Sequence, residues 1–167
     1  MIVEGRAWVF GDDINSDLLY PQAAFGLPLD EAVRYVFRAN RPGWVDLVQP
    51  GDIIVGGRNF GMGSARTAGA LLRRLGIAAC AADSFASLFF RNGVNTGLPV
   101  LACPGISNIV AEGDRLSLDF TTGSVRNIST GAEAQGVPLP SELLETLAGG
   151  GLLASLERRG LIAPLAR

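Results

Sequence analysis

Gly61-Met62-Gly63-Ser64-Ala65-Arg66 combines the residue types that can hold an anion next to a reactive hydroxyl. Glycines let backbone N–H groups approach a ligand, and a helix starting just after them would add partial positive charge suited to an anion. Ser64 near the helix N-cap and Arg66 in the first turn could then face one bound carboxylate. A plainer role fits the same residues, with Ser64 only capping the helix and the glycines only turning the chain. The stretch is not a Walker A loop, which needs lysine, nor the six-residue dinucleotide pattern, since Thr67 and Ala68 follow where a structural glycine would be expected. A second cluster, Phe10-Gly11-Asp12-Asp13-Ile14-Asn15-Ser16-Asp17, sets three carboxylates within six positions. Asx turns or caps explain it, and it lacks the spacing and final glutamate of a calcium loop. The third stretch, residues 83–99, carries aromatic residues at helical spacing, which fits a core face better than a ligand platform.

The residues that are missing narrow the chemistry further. The chain has no histidine, and all 14 of its basic residues are arginines. A Ser-His-Asp or Cys-His machine, a histidine metal site, a lysine Schiff base and a phosphate-loop lysine are therefore excluded within it. Acid–base chemistry must use Asp, Glu, Tyr, Cys or an activated Ser. Arginine stays charged and transfers protons poorly, but its planar fork suits carboxylates and phosphates, so an anionic small molecule is the natural substrate. Cys80 and Cys103 are too few for a disulfide framework, a zinc site or a cysteine-ligated cluster and read as buried small apolar residues; no metal site is expected.

The elements that must position these residues read as mixed α/β. Ala7–Phe10 predicts a short strand ending in the Gly11-Asp12-Asp13 turn. Apolar residues at 29, 32, 33, 36 and 37 predict a helix from Leu29 to Asn40, closed by Pro42-Gly43. Asp52–Val55 reads as a buried strand, followed by the glycine-rich stretch 56–63, a helix from about Ala65 to Leu75, a stop at Gly76 and a second strand within Ile77–Ala82. That is a βαβ unit with parallel pairing. Downstream, Ser84 predicts a capped helix to about Arg91, Leu98–Ala102 a strand, and residues 115–120 and 124–128 a β-hairpin across Thr121-Thr122-Gly123. Helices from Pro140 to about Ala148 and from Leu152 to Arg159 close the chain. No boundary interrupts this layout, which predicts one α/β domain over residues 1–167, a parallel core with an antiparallel hairpin attached.

Composition agrees with that layout. The chain has 167 residues, enough for a core without staples, and is 48% hydrophobic and only 18% charged. With a mean hydropathy of +0.30, disorder is excluded as the main state, and surplus apolar surface suggests a partner subunit. A net charge of −2 provides no basic stripe for nucleic acid. No apolar run is long enough to span a bilayer, and Glu4 and Arg6 interrupt the place of a signal peptide, which predicts a soluble, cytoplasmic chain.

Taken in order, the motifs FGDDINSD (10–17), GDIIVGGRNFGMGSAR (51–66) and SFASLFFRNGVNTGLP (84–99) resemble those of the small subunit of 3-isopropylmalate dehydratase, the swivel domain of the aconitase superfamily. The resemblance covers essentially the whole chain. It implies a swivelling β/β/α domain and a heteromeric hydro-lyase of branched-chain amino-acid (leucine) biosynthesis. It implies a large-subunit partner that carries a four-iron, four-sulfur cluster, with no cofactor on this chain. Carried over, Ser64 is the proton-abstracting residue and Arg66 a substrate-carboxylate ligand, with Gly61, Gly63 and Asp12 at the substrate site. Serine is a weak base at its free pKa, so Arg66, the helix N-terminus and backbone N–H groups are the expected stabilisers of its alkoxide.

Departures from the family pattern bear on the substrate. Ala65 replaces a second serine, Thr67-Ala68 the usual Glu-His, and Ser87 a frequent arginine. In the loop associated with the substrate's side group, Pro21-Gln22-Ala23-Ala24-Phe25 replaces a basic and aromatic pair, leaving Ala24 and Phe25 as candidate contacts. Without that arginine, isopropylmalate, methylmalate or a dimethylmalate-like acid is expected over a tricarboxylate. Two other classes remain open: a degenerate, non-catalytic scaffold subunit, and an anion-binding module unrelated to dehydration.

Overall fold

The computed structural model describes residues 1–64 and 67–164. Among them, seven strands form one sheet, in the order β4-β3-β2-β1-β5-β6-β7. Strand β1 (Ile2–Val9) runs through its centre and joins two differently built halves. Its C-terminal half pairs in parallel with β2 (Ile53–Gly56), which continues in parallel to β3 (Ala79–Ala82) and β4 (Val100–Ala102). Its N-terminal half pairs antiparallel with β5 (Arg115–Asp119), which continues to β6 (Ser124–Asn127) and β7 (Glu133–Gln135). The expected parallel pairing of the strands near 53 and 79 is present, with Ile53 opposite Ala79. Every residue of β2 and β3 is buried, as strands covered on both faces require.

Short helices fill the connections: α1 (Ser16–Leu19), α2 (Leu29–Ala32), α3 (Ala68–Arg74), α4 (Ser87–Asn95), α5 (Ser141–Ala148) and α6 (Leu152–Arg158). Helices α3 and α4 pack on each other, with Leu71, Leu72 and Phe89 turned into the core. None of the described helices is long and apolar enough to cross a membrane.

Three of the elements that differ from the sequence expectation lie around the site. The helix read over 29–40 is α-helical only to Ala32 and then tightens into a 3-10 turn, Val33–Tyr35. Phe37 adopts φ +55°, donates its N–H to Leu18 O at 2.7 Å, and stacks its ring on Phe10 at 4.1 Å. Burial of an aromatic ring beside Trp44 outweighs the helical periodicity. Helix α4 starts at Ser87, not Ser84, whose hydroxyl is used elsewhere. Strand β1 extends back to Ile2, beyond the short Ala7–Phe10 run, because β5 takes up its half-exposed, polar first half.

One buried carboxylate ties the two parallel strands nearest the site. Asp52, 3% exposed at the entry to β2, accepts hydrogen bonds from Trp8 Nε1 (2.7 Å), Arg6 Nη2 (2.7 Å) and Gln49 N–H (2.9 Å). Burial pulls its pKa up, but these donors and the Arg6 charge outweigh burial and hold it below the usual carboxylate value. A depressed folded pKa contributes stability that is present above the unfolded value, about 3.9, and is lost as pH falls through the folded one. Asp52→Ala strands the Trp8 indole N–H and should cost about 1–3 kcal/mol at neutral pH. Denaturant unfolding at pH 7 and below pH 4 checks this: the gap between wild type and variant should shrink in acid. Equal stability at pH 7 contradicts the assignment.

Candidate functional site

Because β1 and β2 run in parallel, the loops leaving their C-terminal ends emerge on the same side, where open α/β sheets place ligands. The loop after β1 then tracks the loop after β2 backbone to backbone. Phe10 N–H donates to Val55 O (2.8 Å), Gly57 N–H to Gly11 O (3.1 Å) and Asp13 N–H to Arg58 O (2.8 Å). Ile14 O accepts from both Gly61 N–H (2.7 Å) and Met62 N–H (3.0 Å), and Ser16 N–H donates to Met62 O (2.5 Å). Asn15 forms a parallel bridge with Met62 and caps α1, its Oδ1 accepting from Asp17 N–H at 2.8 Å.

Side chains add cross-links at the same level. Asp12 takes the Arg58 backbone N–H on Oδ1 (2.7 Å) and the guanidinium Nε and Nη2 on Oδ2 (3.0 and 2.8 Å). The backbone N–H first, then the guanidinium, lower the Asp12 pKa, while the Arg58 pKa is raised. Asp12 is therefore a fixed anion neutralised by its partner, unsuited to accepting a proton at neutral pH. Asp13 Oδ1 accepts from Asn59 Nδ2 (3.0 Å), and Asn59 N–H donates to Ser84 Oγ (2.8 Å). Phe60 packs edge-on to Phe85 and Phe89, so the third motif's aromatic residues do belong to the core that supports this loop.

Ser64 lies at the end of this track, exposed, and its hydroxyl has no hydrogen-bond partner among the described residues. It does not cap α3, which begins at Ala68 with Thr67 as its N-cap residue. With α3 starting at Ala68 rather than near Ala65, the helix-start argument does not reach the hydroxyl. Arg66 and Ala65 lie outside the described residues. Gly61 and Gly63 have φ of +83° and +98°. A Cβ at Gly61 would stand 2.3 Å from Phe89 Cγ, and one at Gly63 2.6 Å from Ser16 Oγ. Both positions thus require glycine for backbone and packing reasons.

Ala24, expected as a substrate contact, is fully buried, because the short 3-10 turn Gln22–Ala24 points its methyl inward. Phe25 is 56% exposed with its ring 4.7 Å from that of Tyr20. A cavity of about 400 Å³ opens beside this loop, lined by Asp17, Leu18, Pro21, Ala23, Tyr35, Arg38 and Ala39. Arg38 therefore supplies a cation next to a loop that has none of its own; its guanidinium lies over the Tyr35 ring at 5.4 Å. Sequence reasoning missed it because a continuous helix over 29–40 gives no sign that residue 38 lies beside residues 21–23.

The residues present do not fit an iron–sulfur cluster. Cys80 and Cys103 are both buried, and burial pushes both thiols up, Cys103 to about 11, so neither offers a thiolate at neutral pH. No group of three or more metal-ligating side chains occurs among the described residues.

Comparison with known proteins agrees with the geometry. Residues 44–104 match the Aconitase C-terminal domain family. The chain is 40% identical over 161 residues to the isopropylmalate/citramalate isomerase small subunit of Methanocaldococcus jannaschii, covering 95% of each chain. It is 39% identical over 154 residues to the methanogen homoaconitase small subunit of Methanothermobacter thermautotrophicus, covering 91% of this chain and 89% of that one. The crystal structure of 3-isopropylmalate dehydratase from Methanocaldococcus jannaschii superposes with a TM-score of 0.88 at 30% identity, covering 96% of both chains. On identity, coverage and fold together, the chain belongs to the 3-isopropylmalate dehydratase small-subunit family, within the aconitase superfamily of hydro-lyases.

Proposed function

We propose that this chain, as one swivel-type domain, is the small subunit of a cytoplasmic hydro-lyase that dehydrates and rehydrates a hydroxy diacid of the 3-isopropylmalate type in leucine biosynthesis. Its partner is a large subunit that carries the four-iron, four-sulfur cluster. Ser64 takes the proton from the carbon next to the hydroxyl-bearing one and returns it on rehydration. The substrate's hydroxyl leaves as water by taking up one proton, supplied from the large subunit's side of the shared site, while Ser64, entering as the alkoxide, keeps the proton from carbon; Arg66 binds a substrate carboxylate. The observation that carries this reading is the convergence of three separate motifs on the loop that ends in an exposed Ser64 hydroxyl with no partner among the described residues. Asp12 serves that loop as a clamp through Arg58 rather than as a proton acceptor.

Substrate choice turns on the Pro21–Phe25 loop. Its apolar residues favour a branched or methylated diacid, because burying a third carboxylate without a paired cation costs several kcal/mol. The relatives span both kinds of acid, one named for isopropylmalate and citramalate, another for homoaconitate. Arg38, beside Pro21 and Ala23, favours the tricarboxylate alternative, while Asp17 in the same cavity opposes it.

Two measurements on the complex reconstituted with its large subunit test these roles. Ser64→Ala should leave the complex assembled and lower kcat by about 10² to 10⁴, the usual loss for a general acid or base. Turnover close to wild type would reject the catalytic role and favour a scaffold subunit. Comparing kcat/KM across isopropylmalate, methylmalate, citrate and homocitrate should rank the first two highest. Preference for citrate or homocitrate would instead assign the third carboxylate to Arg38.

A further inference from the structure

We propose that Asn59 is a positioning residue for Ser64, acting through a side-chain pair with Asp13; the inference rests on the reading of Ser64 as the proton acceptor. Asn59 has φ +56° and Asp13 φ +53°. Non-glycine residues are uncommon in this left-handed region, and Asn and Asp tolerate it best. The two residues come from separate motifs and hydrogen-bond to each other, Asn59 Nδ2 to Asp13 Oδ1 at 3.0 Å. Neither is in the core: Asp13 is exposed and Asn59 half-buried. Strained backbone on a surface persists only where its surroundings over-determine it.

Asn59 joins all three motifs. Its side chain holds the 10–17 segment, its backbone N–H holds Ser84, and its own loop leads to the serine. Directly after it, Phe60 N–H donates to Ser84 O (3.0 Å) and Phe60 O accepts from Ala86 N–H (2.9 Å). The chain then swings back at Gly61 to Ile14 O and runs beside Ser16 to Ser64. The backbone direction at residue 59 thus decides whether the next three residues reach their partners, and with them where the hydroxyl lies. Displacing a reacting group by about 1 Å can cost about 10² in rate without disturbing the core.

A donor–acceptor exchange tests this in the full chain. Asn59→Asp keeps a residue that tolerates positive φ but sets two carboxylates against each other. The double variant Asp13→Asn, Asn59→Asp swaps donor and acceptor at constant net charge. In the complex reconstituted with its large subunit, Asn59→Asp should lower kcat at least about tenfold with KM little changed. In the isolated full chain it should speed amide hydrogen exchange at residues 60–62, whose N–H groups are bonded to Ser84 and Ile14, while strands β2 and β3 keep their protection. The double variant should restore kcat to within about threefold of wild type and restore the exchange protection. A kcat for Asn59→Asp within about twofold of wild type, or failure of the exchange to rescue either readout, overturns the proposal. If the wild-type complex turns over none of the acids, the dehydratase reading fails, and the amide exchange of the two variants still decides whether this pair sets the loop.

Discussion

The site depends on the close backbone approach of residues 10–16 to residues 57–63. Parallel pairing of β1 with β2 starts it, and Ile14 O, with the N–H groups of Gly61 and Met62 both on it, completes it. Two segments this close leave no room for side chains between them. The glycines at 57 and 63 answer that constraint, since a Cβ at 57 would meet Asp12 and one at 63 would meet Ser16 and Asn15. A glycine-rich loop that looks suited to a ligand is therefore first a condition for two loops to lie together. Its chemistry is carried by what stands at its end.

Charge around this junction is arranged in pairs. Asp52 with Arg6 secures the start of β2, and Asp12 with Arg58 secures the loop beyond its end. The carboxylate of the first is buried and supported by an indole N–H, so it bears on stability. The second is largely exposed, so it fixes geometry more than it stabilises the fold. A chain whose cations are all arginine suits both uses, because the guanidinium fork grips a carboxylate in a fixed plane. With the acidic side chains of the 12–13 segment engaged by Arg58 and Asn59, the Ser64 hydroxyl is the group on this track with no partner among the described residues.

Much of this was legible in the sequence, for identifiable reasons. The βαβ unit showed because Pro50-Gly51 and Gly76 bracket continuous apolar runs, which parallel strands buried on both faces produce. The three motifs showed through their order and residue types. The joints between them did not: Asp12 to Arg58 and Asp13 to Asn59 each span 46 positions, and only the pairing of β1 with β2 brings them together. Periodicity misled at 29–40, where a stacked Phe37 ends the helix and brings Arg38 beside Pro21. It misled again at Ser64 and Ser84, two serines placed like helix caps, of which one stands free of α3 and the other holds Asn59. Strand β7 was not legible because Glu-Ala-Gln has little β-propensity and no apolar alternation; it forms by pairing with β6.

The account makes this chain the source of the proton acceptor in a site shared with a large subunit. The most direct measurement is exchange of the substrate's carbon-bound hydrogen with solvent, followed by deuterium incorporation into an isopropylmalate-type acid before net turnover. This reports the proton-transfer step rather than the whole reaction. The account predicts exchange in the reconstituted complex, none with either subunit alone, and a loss of at least about 10² when Ser64 is replaced by alanine in the complex. Deuterium entering at an undiminished rate without the Ser64 hydroxyl would contradict it.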